Sequence, residues 1–241
     1  MSQIILEHVS KRFGKEYILK DISLQLESGK IYGIIGRNGS GKTVLLKMMC
    51  GLLRPTEGQV RYQGECLGER IKTLPNTGVI LNRPEFFEEL SAFQNLDLLA
   101  KLNKIIGKKE ICAVLEQVGL DNTDKPVSTY SLGMRQRLGI AQAIMEDPDH
   151  LILDEFSNGL DEDGIQMIHA ILRAEAKRGK LIVITSHHQE DITALCDHVY
   201  RIKEGGLVYE TYAMASARRI YRRSISGRDG RSSSIRGSAN G

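Results

Sequence analysis

The stretch 36-GRNGSGKT-43 decides the fold. It fits G-x-x-x-x-G-K-[ST], follows the apolar run KIYGIIG (30–36) and opens the helical pattern GKTVLLKMMCGLL (41–53). A strand, a glycine-rich turn and a helix in that order place a row of backbone N–H groups and a helix N-terminus around one point, where phosphate oxygens bind. The three glycines permit the wrapped backbone. Gly36, Arg37, Asn38, Gly39, Ser40, Gly41, Lys42 and Thr43 together form the expected nucleotide-binding loop. Lys42 would reach the β- and γ-phosphates, and the Thr43 hydroxyl would hold Mg²⁺. An ordinary strand-to-helix turn explains none of the three features jointly.

A second stretch, HLILDEFSNGLD (150–161), ends a buried strand in two adjacent acids. Burying acids is costly unless they are used. Asp154 is the expected Mg²⁺ ligand, and Glu155 the residue that polarises the attacking water. Neighbours on a strand point to opposite faces, so the two roles need a strand end where the chain already curves. A third stretch, IVITSHHQED (182–191), ends another buried strand in Ser186 and His187. A lone histidine is more often structural, but this one follows a core strand downstream of both other motifs, where it would sense a γ-phosphate.

The rest of the chain supports one α/β unit. QIILEHVS (3–10) and YILKDISLQLE (17–27) alternate like half-buried strands, and GQVRYQG (58–64) and NTGVIL (76–81) are shorter ones. From about 92 to 145 the period is helical, in SAFQNLDLLAKLNK (91–104), KKEICAVLEQVGL (108–120) and TYSLGMRQRLGIAQAI (129–144). Strands and helices alternate again to HVYRIKEGGLVYE (198–210), so a mainly parallel sheet with a helical insert is expected. The third helix begins with Ser131 at its N-cap and Gly133 in its first turn, where glycine weakens a helix without evident local gain.

Composition excludes several classes. The 241 residues are 41% apolar, enough for a real core. No run of about 18 apolar residues could span a bilayer, and the N-terminus lacks a signal-peptide pattern. The four cysteines, at 50, 66, 112 and 196, show no metal-ligand spacing and read as reduced thiols of the cytosol. The net charge of +3 is uneven: residues 211–241 hold seven Arg and one Asp, which leaves the body at −3. A slightly acidic body argues against nucleic acid as the main partner. Residues 211–241, rich in Ser, Gly and Arg, are expected to be a disordered tail outside a domain of residues 1–210. An anionic-lipid contact or an out-of-frame end are the other readings of that tail.

With YSLGMRQR (130–137) set beside the three motifs, the chain resembles the ATP-binding subunits of ABC transporters over about residues 3–210. Its wording SLGMRQRLGIA is similar to the branch that exports bacitracin, lantibiotics and related drugs. The resemblance implies a P-loop NTPase fold of ABC type: a mainly parallel core sheet, an N-terminal antiparallel β sub-domain, and a helical signature sub-domain at about 88–145. It implies ATP as substrate with Mg²⁺, and a head-to-tail dimer with a second copy or a related subunit, in which Ser131 and Gly133 meet the ATP of the other subunit. Phe13 matches the aromatic residue that stacks on adenine, with Tyr17 as the substitute, and 158-NGLD-161 matches the loop linking the two sites.

Three residues depart from the family's usual wording. Asn82 stands where most members place a glutamine that contacts Mg²⁺, and is one methylene shorter. Val44 replaces a second hydroxyl, and Phe156 a proline. None removes Lys42, Asp154, Glu155 or His187, so hydrolysis is expected. The implied partners are multi-span permease subunits at the inner face of the cell membrane, with segment 82–95 lining the groove that receives them. Phe86 and Phe87 belong either to that groove or to the core. The rival reading is a soluble ABC ATPase acting on ribosome or DNA. Ribosome-acting members usually carry two cassettes and DNA-acting ones long coiled-coil inserts, and this chain has neither.

Overall fold

The structure, a computed structural model, describes residues 3–120, 124–186 and 189–210, without the side chains of 189 and 190. His187, His188 and the tail 211–241 lie outside the described residues.

Two sheets share one core. The first contains β1 (Gln3–Phe13), β2 (Glu16–Glu27), β4 (Glu57–Tyr62) and β5 (Glu65–Cys66), all antiparallel, in the order β2-β1-β4-β5. Its strands alternate buried and exposed residues, as a sheet with one wet face does. The second contains β3 (Ile31–Ile35), β6 (Thr77–Ile80), β7 (His150–Leu153), β8 (Leu181–Thr185), β9 (His198–Lys203) and β10 (Gly206–Glu210), in the order β10-β9-β3-β8-β7-β6. Every pairing in it is parallel except β10 with β9. β3, β7 and β8 are buried at every residue, as apolar strands covered on both faces must be.

Between the sheets lies α1 (Lys42–Met49), whose Leu45, Leu46, Met48 and Met49 join one apolar cluster with Ile4, Leu26, Ile34 and Val183. Each such side chain contributes about 1.5–3 kcal/mol of burial. The helical period of 41–53 runs further than the helix itself. Gly51 turns the chain at φ +74°, and a Cβ there would lie 2.8 Å from the Lys72 carbonyl. The short β5 carries no sequence signal of its own, since two residues cannot display a period.

The helical segment contains α2 (Ala92–Asn103), α3 (Lys108–Gln117) and α4 (Leu132–Ile144). Ser91 and Gln94 form a reciprocal capping box at the start of α2. α4 packs against β6 so closely that a Cβ on Gly78 would fall 1.8 Å from the Ala143 carbonyl oxygen. The remaining helices, α5 (Glu162–Lys177) and α6 (Gln189–Leu195), return the chain to β8 and β9.

Two histidines are sealed into this fold. His150 is fully buried; its Nδ1 lies 3.1 Å from the Pro75 carbonyl and its Nε2 has no partner among the described residues. His169 on α5 is 3% exposed, with Nε2 4.0 Å from the Asp191 carboxylate. Burial pushes both imidazoles below the ordinary value of 6.5.

Two outcomes follow for stability. Gly78→Ala should destabilise the fold by about 3 kcal/mol or more, read from denaturant unfolding, because the added Cβ would stand 1.8 Å from a backbone carbonyl oxygen and neither helix nor strand can move far enough to relieve it. The two histidines make stability depend on pH. Above 6.5 both states are neutral at these sites; as pH falls below it the unfolded chain takes up protons that the fold refuses until its lowered pKa is reached. The melting temperature should therefore fall between about pH 7 and about pH 5, and less steeply in His150→Phe. An equal slope in the two proteins would assign the loss to other groups.

Candidate nucleotide site

Because β3, β6, β7 and β8 run parallel, their carboxyl ends lie along one edge of the sheet. Ligands of open α/β sheets bind at that edge. The phosphate loop leaves β3, Asn82 follows β6, Asp154 and Glu155 follow β7, and Ser186 follows β8.

The loop is wound as its glycines demand. Gly39 and Gly41 have φ of +77° and +101°, and a Cβ on Gly36 would meet the Ser40 hydroxyl at 2.5 Å. Ser40 N–H donates to the Arg37 carbonyl at 3.1 Å. Lys42 is 5% exposed, and its ammonium donates to the carbonyls of Gly36 and Arg37 at 3.0 and 3.2 Å. The Ser40 hydroxyl is buried without a partner among the described residues. A cradle that holds a cation folded onto its own carbonyls, beside an unpaired hydroxyl, fits an anion rich in acceptors.

Beside it, Thr43 Oγ1 donates to Asp154 Oδ2 at 2.5 Å, and Thr185 Oγ1 donates to Oδ1 of the same carboxylate at 2.5 Å. Asp154 is 3% exposed. Hydroxyl and carboxylate oxygens so placed are a donor set that suits Mg²⁺, which takes few protein ligands and keeps its waters.

The chain does curve at the adjacent acids, where the sequence called for a bend. Glu155 adopts φ +49°, a left-handed conformation rare for a glutamate, and thereby escapes the strand's alternation. Its N–H donates to Thr185 Oγ1 at 2.8 Å, and its Oε2 accepts from Asn158 Nδ2 at 2.6 Å. Thr43, Asp154, Glu155 and Asn158 line a cleft of about 1090 Å³ that continues past Asn82 to Phe86. Asn82 is exposed at φ +68°, on the wall of that cleft.

At the start of α4, the Ser131 hydroxyl accepts from Met134 N–H at 3.2 Å, the expected cap. Gly133 has a reason inside the chain that sequence spacing does not reveal: a Cβ there would lie 2.7 Å from the Gly159 carbonyl oxygen. Conversely, a Cβ on Gly159 would lie 2.4 Å from the Leu132 side chain. The first turn of α4 and the loop after Glu155 are therefore in backbone contact.

Phe13 ends β1 half exposed, with the Lys11 ammonium 5.3 Å from its ring centroid. Tyr17 has the Arg12 guanidinium 5.7 Å from its ring centroid and donates its hydroxyl to Glu57 at 2.6 Å, so a cation lies over each of the two rings. Phe87 is exposed and Phe86 partly so at the cleft, so neither is core. The loop they sit on is held by the buried Asn95, which accepts from Phe87 N–H at 2.9 Å and donates to the Phe87 and Ser91 carbonyls. Arg135 grips Glu88 with two bonds, 2.6 and 2.5 Å, and this pairing holds the Glu88 carboxyl below its ordinary range. Sequence reasoning gave no role to Thr185, Gln136 or this pair, because each acts on a partner distant in the chain, nor to Asn95, whose nearby loop contacts no helical period records.

The chain is similar to known proteins over most of its length. A family model described as ABC transporter matches residues 19–158. The chain is 44% identical over 207 residues to the bacitracin transport ATP-binding protein BcrA of Enterococcus faecalis, covering 85% of this chain and 67% of that protein. It is 36% identical over 206 residues to the lantibiotic transport ATP-binding protein SrtF of Streptococcus pyogenes, covering 85% and 89%. A dimeric ATP-binding cassette in a post-hydrolysis state, bound to ADP and Pi, superimposes with a TM-score of 0.77 at 23% identity, over 86% of this chain and 98% of that one, a likeness of fold. A phosphate loop, paired acids and a signature helix on such a fold, matched over more than half of the chain, place it in the ABC transporter family as an ATP-binding domain.

Proposed function

We propose that this chain is the ATP-hydrolysing subunit of an exporter of peptide antibiotics, bacitracin-like or lantibiotic. ATP hydrolysis belongs to the family, and the relatives named for bacitracin and lantibiotic transport support the cargo class. They also favour the transporter over a soluble ATPase acting on ribosome or DNA. No helix among the described residues is long and apolar enough to cross a membrane; the relatives named as transport ATP-binding proteins support separate permease subunits as the membrane-spanning partners. The chain then sits at the cytoplasmic face of the membrane.

One observation carries the chemistry: Thr43 and Asp154 share a hydrogen bond of 2.5 Å at the mouth of the phosphate loop, with Glu155 beside them. In this reading the loop N–H groups and Lys42 bind the β- and γ-phosphates of ATP, and Phe13 stacks on adenine. Thr43 and Asp154 hold Mg²⁺, with Asn82 on the same wall. Bound Mg²⁺ neutralises charge on the phosphate oxygens. Glu155 orients the attacking water and accepts its proton. His187, two residues past β8 in the sequence, is the group assigned to the γ-phosphate. Ser131 and the Gly133 N–H, with the dipole of α4, meet the ATP held by a second copy. The segment 82–95, with Phe87 exposed, receives the permease.

Replacing Glu155 with Gln should lower steady-state ATP turnover by about 10²-fold or more. ATP should still bind and should stabilise a dimer, visible by size-exclusion chromatography. Turnover at the wild-type rate would remove Glu155 from the mechanism. Residues 1–210 are proposed as the complete catalytic unit, so deletion of 211–241 should leave ATPase activity intact; a large loss would give the tail a part in it.

A further inference from the structure

The turn that presents Glu155 is tied from three directions. Thr185 of β8 accepts from its N–H, and Asn158 donates to its carboxylate. The third tie comes from Gln136, one turn into α4 and 5% exposed. Its Nε2 donates to the Phe156 carbonyl at 3.0 Å and to the Glu155 carbonyl at 3.4 Å. A side-chain amide has two N–H hydrogens, and here they serve two successive carbonyls.

The Phe156 carbonyl relies on Gln136, whereas the Glu155 carbonyl also accepts from Asn158 N–H at 3.1 Å. A left-handed glutamate turns its carbonyl out of the β7 ladder, and such a conformation costs about 1–2 kcal/mol unless its surroundings hold it. Removing the donor would leave the Phe156 carbonyl without this hydrogen bond and take one of the supports from the bend. α4 itself does not depend on Gln136 for its place. Arg135 is clasped to Glu88, Arg137 donates to the Val118 and Gly119 carbonyls, and Gly139 admits Pro84 against the helix. What Gln136 adds is the link to the catalytic turn.

We propose that Gln136 is a positioning residue: it holds the Glu155–Phe156 turn in the bend that aims the Glu155 carboxylate into the cleft, and so governs turnover without touching nucleotide. This rests on the reading of Glu155 as the group that acts on water.

The test compares four full-length chains: wild type, Gln136→Met, Glu155→Gln and the double variant. Methionine keeps the length of the side chain and removes the donor. Gln136→Met should lower kcat by about tenfold or more, with KM for ATP and equilibrium ATP binding within about twofold of wild type. In the double variant it should add no further loss to the residual rate of Glu155→Gln, as for two residues acting as a unit. Wild-type kcat in Gln136→Met, a parallel loss of ATP binding, or additive losses in the double variant would each overturn the proposal. Should Gln136→Met not fold, Gln136→Asn, which keeps the donor at shorter reach, takes its place: lowered kcat at unchanged KM supports the role, and full kcat refutes it. Wild-type turnover in Glu155→Gln refutes the reading of Glu155 instead, whereas an inactive Glu155→Gln beside a fully active Gln136→Met refutes the positioning role alone.

Discussion

Asp154 accepts one hydroxyl from the helix that follows β3 and another from the end of β8, and this shared carboxylate ties three central strands together at their carboxyl ends. A carboxylate only 3% exposed has to be satisfied by donors or by a cation. Thr43 and Thr185 do this from opposite sides. The parallel order of the sheet makes it possible, since only parallel neighbours deliver the phosphate loop, the acids and the β8 terminus to one edge. The two-sheet core behind that edge, with α1 between, gives the loop a rigid base.

Around this point the site is arranged by α4. Its first turn rests on the loop after Glu155, its second reaches the Glu155–Phe156 turn, and its outer face holds the segment that carries Phe86 and Phe87 through Arg135 and Gly139. This helix thus touches both the turn at Glu155 and Phe156 and the segment on the wall of the cleft. That explains its two glycines, at 133 and 139, which lower helix propensity but admit the Gly159 carbonyl and the Pro84 ring.

Much of the fold was legible because its signals are local. The phosphate loop is eight consecutive residues, β3, β7 and β8 are mostly apolar runs, and Ser91 and Ser131 sit at helix starts as caps. The adjacent acids even demanded a bend, and the bend is there at Glu155. What sequence could not display are contacts between residues far apart in the chain: Thr185 with Asp154, Gln136 with Phe156, Gly133 with Gly159. The glycine in the first turn of α4 could be explained by a ligand or by a neighbour, and only coordinates reveal the neighbour. Likewise the end of α1 is set by Gly51 meeting Lys72, which no helical period records.

The mutual exclusion at Leu132, Gly133 and Gly159 has a consequence for how such a chain can vary over generations. A side chain added at 133 strikes the backbone at 159, and one added at 159 strikes the side chain at 132. The carbonyl at 159 is backbone, which no substitution there removes, so a larger residue at 133 requires the two segments to move apart, whereas a larger residue at 159 can be met by a smaller one at 132. The two glycines, 26 residues apart in the chain, thus constrain one another through space.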